Sequence, residues 1–290
     1  MSAADLDLGS VVAIAKKDFQ DAARSKVLWL VTTVFVAFLG GMAFLFAWLD
    51  DVLAQQGEEI TAISLIFFLQ SPVAIVIPLI GLLVGYKALA GEVSTGSAKI
   101  LLSLPHSRLD AVLGKLVGRT LVLWTSFFVG LLVALVVIVA MYDEFHLGQL
   151  VVFTVFSLLF GTIFVSLGVA ISAATTSTTK AAAAVVFVFF FFFFVFDSIR
   201  TVAYYLLTGE VFPFEDAPHW YLFYPRLSPS GAYEAALVGF LPSGEIPAGA
   251  LYPEGTEAFY FSRWLTLAIL LAWIVVPIAL GSLRFERLDL

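Results

Sequence analysis

The chain of 290 residues contains no cysteine, three methionines and three histidines. Disulfide frameworks and thiolate metal sites are therefore excluded, and composition gives no sign of a redox compartment. His106, His146 and His219 are scattered, no His-Glu-x-x-His motif occurs, and a soft-metal path lacks ligands. Charge is scarce too: 13% of residues are charged, with 22 acids against 15 bases for a net charge of −7. That balance argues against nucleic-acid binding. A phosphate loop is missing as well. Gly91 and Gly96 have the right separation, but Ser97 stands where a lysine must reach the phosphates. No serine or aspartate is framed as an intramembrane catalytic centre.

What fills the chain is apolar. Hydrophobic residues make up 61% and mean hydropathy is +1.02, which excludes an ordinary soluble domain and predicts a polytopic membrane protein. Six spans are expected, at about 27–49, 60–86, 120–142, 150–174, 181–207 and 264–283. The first is a run of 23 uncharged residues, roughly 34 Å as a helix against a hydrocarbon core of ~30 Å. Trp29 and Trp48 mark its ends as interface anchors. Pro72 and Pro78 predict kinks in the second span, and Gly161, Ser166, Gly168 and Ser172 let neighbours approach the fourth closely. The fifth includes Phe187, Phe189 to Phe194 and Phe196, expected to face lipid or pack as bulk. Asp197 and Arg200 follow at a spacing that lets them pair on one helical face.

Residues 1–26 are too charged for a signal peptide, so no cleavage is expected. Val12, Ala15, Phe19 and Ala22 recur at spacings of three and four, which predicts an amphipathic helix over Val11 to Lys26 along the membrane surface. Residues 208–262 hold seven of the eleven prolines and many aromatics, and read as an outer cap. Within it Ser228 and Pro229 can start a short helix through Phe240, with Tyr233, Leu237 and Phe240 on an apolar side. The expected fold is one all-α membrane domain over 1–290, with six transmembrane helices, an amphipathic N-terminal interfacial helix and an outer cap between spans five and six.

With six spans, both termini share one side with the loops after spans two and four. That side has twelve of the fifteen Lys and Arg residues, against Arg200, Arg226 and Arg263 on the other. The positive-inside rule then places both termini in the cytoplasm. The outer segments set 14 acids against those 3 bases.

A long polar interruption lies at the loop 87–119, which carries Lys87, Lys99, Arg108, Lys115 and Arg119. Its apolar run Ala98 to Leu104 should form a short helix that Pro105 ends. Ser107 then caps a second helix, with Asp110 three residues on at a capping-box spacing. Leu109, Val112, Leu113, Leu116 and Val117 share one face of it, apart from Arg108, Lys115 and Arg119. This is a surface helix feeding the third span.

At these residues the chain resembles the type-2 ABC transporter permeases, a six-span exporter class. Glu92, Gly96, the run Leu101 to Pro105, Ser107-Arg108 and Gly114-Lys115 look like that family's first cytoplasmic loop. The resemblance implies a coupling helix that docks on a separate ATPase subunit, with Leu104, Ser107, Arg108, Leu109, Asp110 and Lys115 as a mechanical coupling surface. It implies a second permease copy or a sister permease, alternating access and export across the plasma membrane. No cofactor belongs to this chain on that reading; ATP and Mg reside on the ATPase. Thr175 to Lys180 reads either as a second coupling contact or as a simple turn. Two further classes stay open: a non-transporting scaffold or enzyme subunit, and an ion-gradient transporter, which the scarcity of charge within the spans weakens. Families of this shape handle small hydrophobes, lipids, peptides, antibiotics and polysaccharides, and include permeases for copper-site maturation of nitrous-oxide reductase, so no substrate follows.

Overall fold

The sequence breaks into helices where its caps and glycines dictate. The structure, a computed structural model, describes residues 6–55, 62–96, 107–141, 146–213, 217–241 and 259–288, and among these it is helical without strands. An N-terminal helix, Leu8–Arg24, starts where the Asp7 carboxylate accepts from the amides of Gly9 and Ser10. It stops at Ser25, whose extended backbone breaks the axis and whose hydroxyl accepts from Val27 to begin the first span. The spanning helices are Lys26–Leu53, Ser64–Thr95, Arg108–Met141, Leu147–Ala173, Thr178–Thr208 and Arg263–Glu286. All six expected spans are present.

Two boundaries differ from expectation. The surface helix and the third span are one continuous helix of 34 residues, about 51 Å long, so its first turns project beyond the apolar core. The second span keeps Pro72 and Pro78 inside its main helix, Ala62–Gly85. A short connecting helix, Ala90–Thr95, follows and ends at Gly96, where φ of +77° favours a residue without a Cβ. The helix expected over Ala98 to Leu104 lies outside the described residues.

Span 4 is the central post. Span 2 packs along one side of it and span 6 along another. Both contacts depend on small residues: a Cβ on Gly85 would sit 2.8 Å from the Val165 carbonyl oxygen, and one on Gly281 would sit 2.7 Å from the Ala170 Cα. The Ser166 hydroxyl donates to the Ile274 carbonyl of span 6 at 2.7 Å. In lipid, where apolar surface gains little by leaving solvent, this close backbone approach and interhelical hydrogen bonding hold helices together. Span 3 packs against spans 1 and 4, with Phe127 edge-on to Phe35.

Span 5 stands apart. It meets spans 2 and 4 through its first helical segment, Thr178–Phe190, and only 6% of its most apolar stretch is buried. Its phenylalanines stack on one another, Phe189 on Phe193 and Phe190 on Phe194. The expected Asp197–Arg200 pair does not form. Arg200 turns instead to Tyr221, lying 4.4 Å from the ring centre and donating to its carbonyl.

On the side away from the termini, Ser228 caps a helix at Pro229–Phe240, as its sequence indicates. Tyr233 is fully buried on span 4, stacked on Phe160 and hydrogen-bonded to Ser157. Packed against spans 4 and 6, this outer helix is part of the bundle.

Candidate coupling site

The N-terminal helix lies across the start of span 3 because two glycines make room for it. A Cβ on Gly114 would come 2.6 Å from the Ile14 Cβ, and one on Gly118 would come 2.9 Å from the Asp18 Cβ. Between them, four residues apart, lies the contact seam. The buried face of the N-terminal helix is Val11, Ile14, Ala15, Asp18 and Ala22, while Val12 is 64% exposed. The apolar face expected from Val12 is therefore rotated, and an acid sits in its middle.

That acid is neutralised from span 3. Lys115 Nζ lies 2.7 Å from Asp18 Oδ1, and it also pairs with Glu92 of the connecting helix. Arg119 Nε approaches Asp18 Oδ2 at 2.9 Å, and its Nη2 donates to Oδ1 at 3.1 Å. Lys115 and Asp18 are both buried. Two cations and two acids thus join three helices at one point, with the charges paired where water is largely excluded.

One turn earlier, Ser107 and Asp110 form a reciprocal cap. Asp110 Oδ2 accepts from the Ser107 amide at 2.9 Å, and the Asp110 amide donates to Ser107 Oγ at 3.0 Å. The other oxygen of Asp110 accepts from the Asp7 amide at 3.1 Å, so one carboxylate ties the starts of span 3 and the N-terminal helix together. Arg108 reaches the last turn of span 6. Its Nη1 donates to the carbonyls of Phe285, Glu286 and Leu288 at 2.6, 3.0 and 2.8 Å. A cation at a helix C-terminus meets both unpaired carbonyls and the negative dipole end.

A hydroxyl from span 4 completes the site. Ser172 Oγ accepts from the amides of both Leu89 and Ala90 at 3.0 Å, capping the connecting helix from a neighbouring span. The loop 97–106 therefore departs from Gly96 and returns at Ser107, and both of its ends are anchored in the same network.

The residues expected to form a coupling surface divide into groups. Ser107, Arg108, Asp110 and Lys115 are brought together, with their polar groups turned toward the N-terminal helix, the connecting helix and span 6. Leu109 is half-buried beside them. Leu104 lies outside the described residues. Four members of the network stand outside that expected set: Asp18, Glu92, Arg119 and Ser172. Asp18 had a signal, since it falls on the same stripe as Val11, Ile14, Ala15 and Ala22, and the Gly114-x-x-x-Gly118 spacing was a second. Around the network the exposed cations Lys16, Lys17, Arg24, Lys26, Lys87, Lys180, Arg284 and Arg287 give this face a basic rim. No group of three or more metal-ligating side chains occurs among the described residues.

A family profile described as ABC-2 family transporter protein matches residues 12–290. Among curated proteins, the chain is 30% identical over 289 residues to a probable ABC transporter permease protein NosY of Stutzerimonas stutzeri, covering 97% of this chain and 99% of that protein. A probable NosY permease of Pseudomonas aeruginosa is 29% identical over 285 residues, covering 96% and 98%.

Proposed function

The chain belongs to the ABC-2 transporter family as a membrane permease subunit, and from that premise we propose that it is an exporter driven by ATP hydrolysis on a separate ATPase subunit. The chain carries no lysine where a phosphate loop needs one, so ATP and Mg belong to the partner and this subunit is non-catalytic. The basic rim lies in the cytoplasm, with both termini, and the membrane crossed is the plasma membrane.

One observation carries the mechanism: both ends of the loop 97–106 are fastened to a network that reaches four spans. The ATPase closes on nucleotide and pushes the loop, with Leu104 and Leu109 as contact residues. Glu92 and Ser172 pass displacement to spans 2 and 4, Lys115 and Asp18 to the N-terminal helix, and Arg108 to span 6. Ser107 and Asp110 fix the returning end. Movement of these helices as a unit alternates access to a pathway between this permease and a second copy or a sister permease. The bare fifth span supports that pairing, because among the described residues only 6% of its most apolar stretch is buried.

The test is affinity purification of the tagged chain from its native membrane in mild detergent. A nucleotide-binding subunit should accompany it, and Leu109→Asp, together with charge reversal at Arg108, should release that subunit. Absence of any ATPase from the intact protein would sink the reading.

A further inference from the structure

Among the described residues, two spans are interrupted near their middle by a π-helical turn, Val36–Gly40 in span 1 and Phe191–Val195 in span 5. Such a turn holds one extra residue, breaks the regular ladder of hydrogen bonds and is a place where a helix bends readily. In span 5 the Phe196 amide accordingly donates to the Phe191 carbonyl, five residues back. Packing explains the first turn. Phe35, Leu39 and Ala43 are buried at four-residue spacings, which overrun the 3.6-residue period of an α-helix, and the wider turn keeps them together where span 1 packs on span 3. Packing does not explain the second, because none of its five residues is buried.

The two halves of span 5 are held differently. The half before the turn, Thr178–Phe190, packs on spans 2 and 4 with Ala181 and Val185 buried. The turn itself is pinned to span 6, where the Phe192 ring meets Trp273 edge-on at 5.3 Å. Beyond it, Phe196–Thr208 buries Tyr204 alone. This outer half is tied by side chains to an outer turn made of His219–Phe223 and Tyr224–Leu227. Tyr224 stacks on Phe196 at 4.6 Å and donates its hydroxyl to the Phe196 carbonyl at 3.1 Å. Tyr221 takes the Arg200 guanidinium over its ring and meets Tyr204 at 5.1 Å. The outer turn is itself fastened to the bundle, since Trp273 Nε1 donates to the Leu227 carbonyl at 3.0 Å and Arg226 donates to the Phe261 carbonyl at 2.8 Å.

We propose that Phe196–Thr208 is an arm that swings on the turn Phe191–Val195, with Tyr221 and Tyr224 as the catch that holds it against the outer turn. A segment with little buried surface of its own opens at low cost, and the π-helical turn places the bend at its foot. Phe192 and Trp273 keep the pivot in place while the arm moves. Closed, the arm covers Tyr221 and Tyr224; released, it opens the flank of the bundle between span 5 and the outer turn. The device belongs to this chain alone and does not rest on the ATPase reading.

The test is pulsed electron paramagnetic resonance on the full chain in lipid nanodiscs, with spin labels on pairs of introduced cysteines. Val186→Cys with Val202→Cys, both exposed, brackets the turn at 16 residues, about 24 Å. Val117→Cys with Val133→Cys gives the same spacing on the uninterrupted span 3 as a control. Releasing the catch with Tyr221→Leu and Tyr224→Phe should make the span 5 distance distribution at least twice as wide as the control. Deleting Phe193 in that background, which removes the extra residue of the turn, should return it to the control width. A second pair, Val202→Cys with Leu227→Cys, reads the arm against the outer turn without the deletion, and release should lengthen it by about 5 Å, one helical turn. A released span 5 distribution no wider than the control, an unchanged Val202–Leu227 distance, or breadth that survives the deletion would overturn the arm. Each readout concerns this chain in lipid, so its failure leaves ATPase co-purification untouched.

Discussion

At the scale of single residues, the candidate coupling network depends on groups that cannot be changed one at a time without leaving a neighbour stranded. Asp18 faces both Lys115 and Arg119, and removing one partner of a buried ion pair typically costs about 3–5 kcal/mol, because the remaining charge loses compensation in a poor solvent. Asp18→Ala should therefore destabilise the chain by about 3 kcal/mol, whereas Asp18→Asn combined with Lys115→Met, which removes one charge of each sign, should cost less than the two single changes added together. Thermal unfolding in detergent, run as a double-mutant cycle, measures the difference; strict additivity would show that the two groups do not act as a pair. Gly114 makes a steric version of the same argument. A side chain there collides with Ile14, so Gly114→Leu should lift the N-terminal helix off span 3. The chain has no cysteine, so a single cysteine introduced at the buried Ala15 would report the displacement as maleimide labelling at least tenfold faster than in the parent. Slow labelling in both backgrounds would mean that the helix tolerates the added bulk.

At the scale of elements, the sequence was readable where a local rule decides and unreadable where a tertiary contact does. The Ser107–Asp110 cap and the Ser228-Pro229 helix start follow from residues three apart or adjacent, and both form as their patterns indicate. The rotation of the N-terminal helix was not legible from its apolar spacing alone, because Asp18 is acceptable on a buried face only when Lys115, 97 positions away, supplies its counter-charge. The same holds for Asp197 and Arg200: their spacing allows a pair, but Tyr221 offers Arg200 a ring and a carbonyl instead. The connecting helix Ala90–Thr95 is another case. Its first turn lacks a capping side chain of its own, and the cap comes from Ser172 on span 4. Ser172→Ala leaves two buried amides without an acceptor, at about 1–3 kcal/mol. Hydrogen exchange at Leu89 and Ala90 should then rise by tenfold or more, while exchange in the middle of span 4 stays slow. If the connecting helix conveys loop movement to span 2, the same variant should keep ATP hydrolysis by the assembled complex and lose at least half of its transport. Equal losses of both activities would place Ser172 in folding rather than in transmission.

At the scale of the whole molecule, the bundle is lopsided. Spans 2 and 4 carry the interior, whereas span 5 leaves almost all of its apolar stretch uncovered. Composition announced six spans with little ambiguity, since each is a long apolar run, yet it could not say which would be central: Phe-rich span 5 is the more hydrophobic to the eye, and Gly- and Ser-bearing span 4 is the one that packs. In a membrane the reason is that apolarity itself drives no association between helices, and close approach of small residues does. Span 5 therefore needs some further source of contact if it is to be more than a lipid-facing helix, and the proposed second permease would supply one. Phe187 and Phe194 are 68% and 57% exposed, while Val275 and Leu280 on span 6 are 63% exposed each. All four are equally available to lipid, so exposure alone does not separate an interface from a lipid face. Single cysteines at these four positions, in a chain with none of its own, separate them by oxidative crosslinking in native membranes. If span 5 meets a second copy, Phe187→Cys and Phe194→Cys should give a disulfide-linked band at twice the chain mass, and Val275→Cys and Leu280→Cys should not. Crosslinks confined to span 6 would move the paired face to that span. Monomer at all four positions, while the ATPase still co-purifies, would point to a sister permease rather than a second copy of this chain.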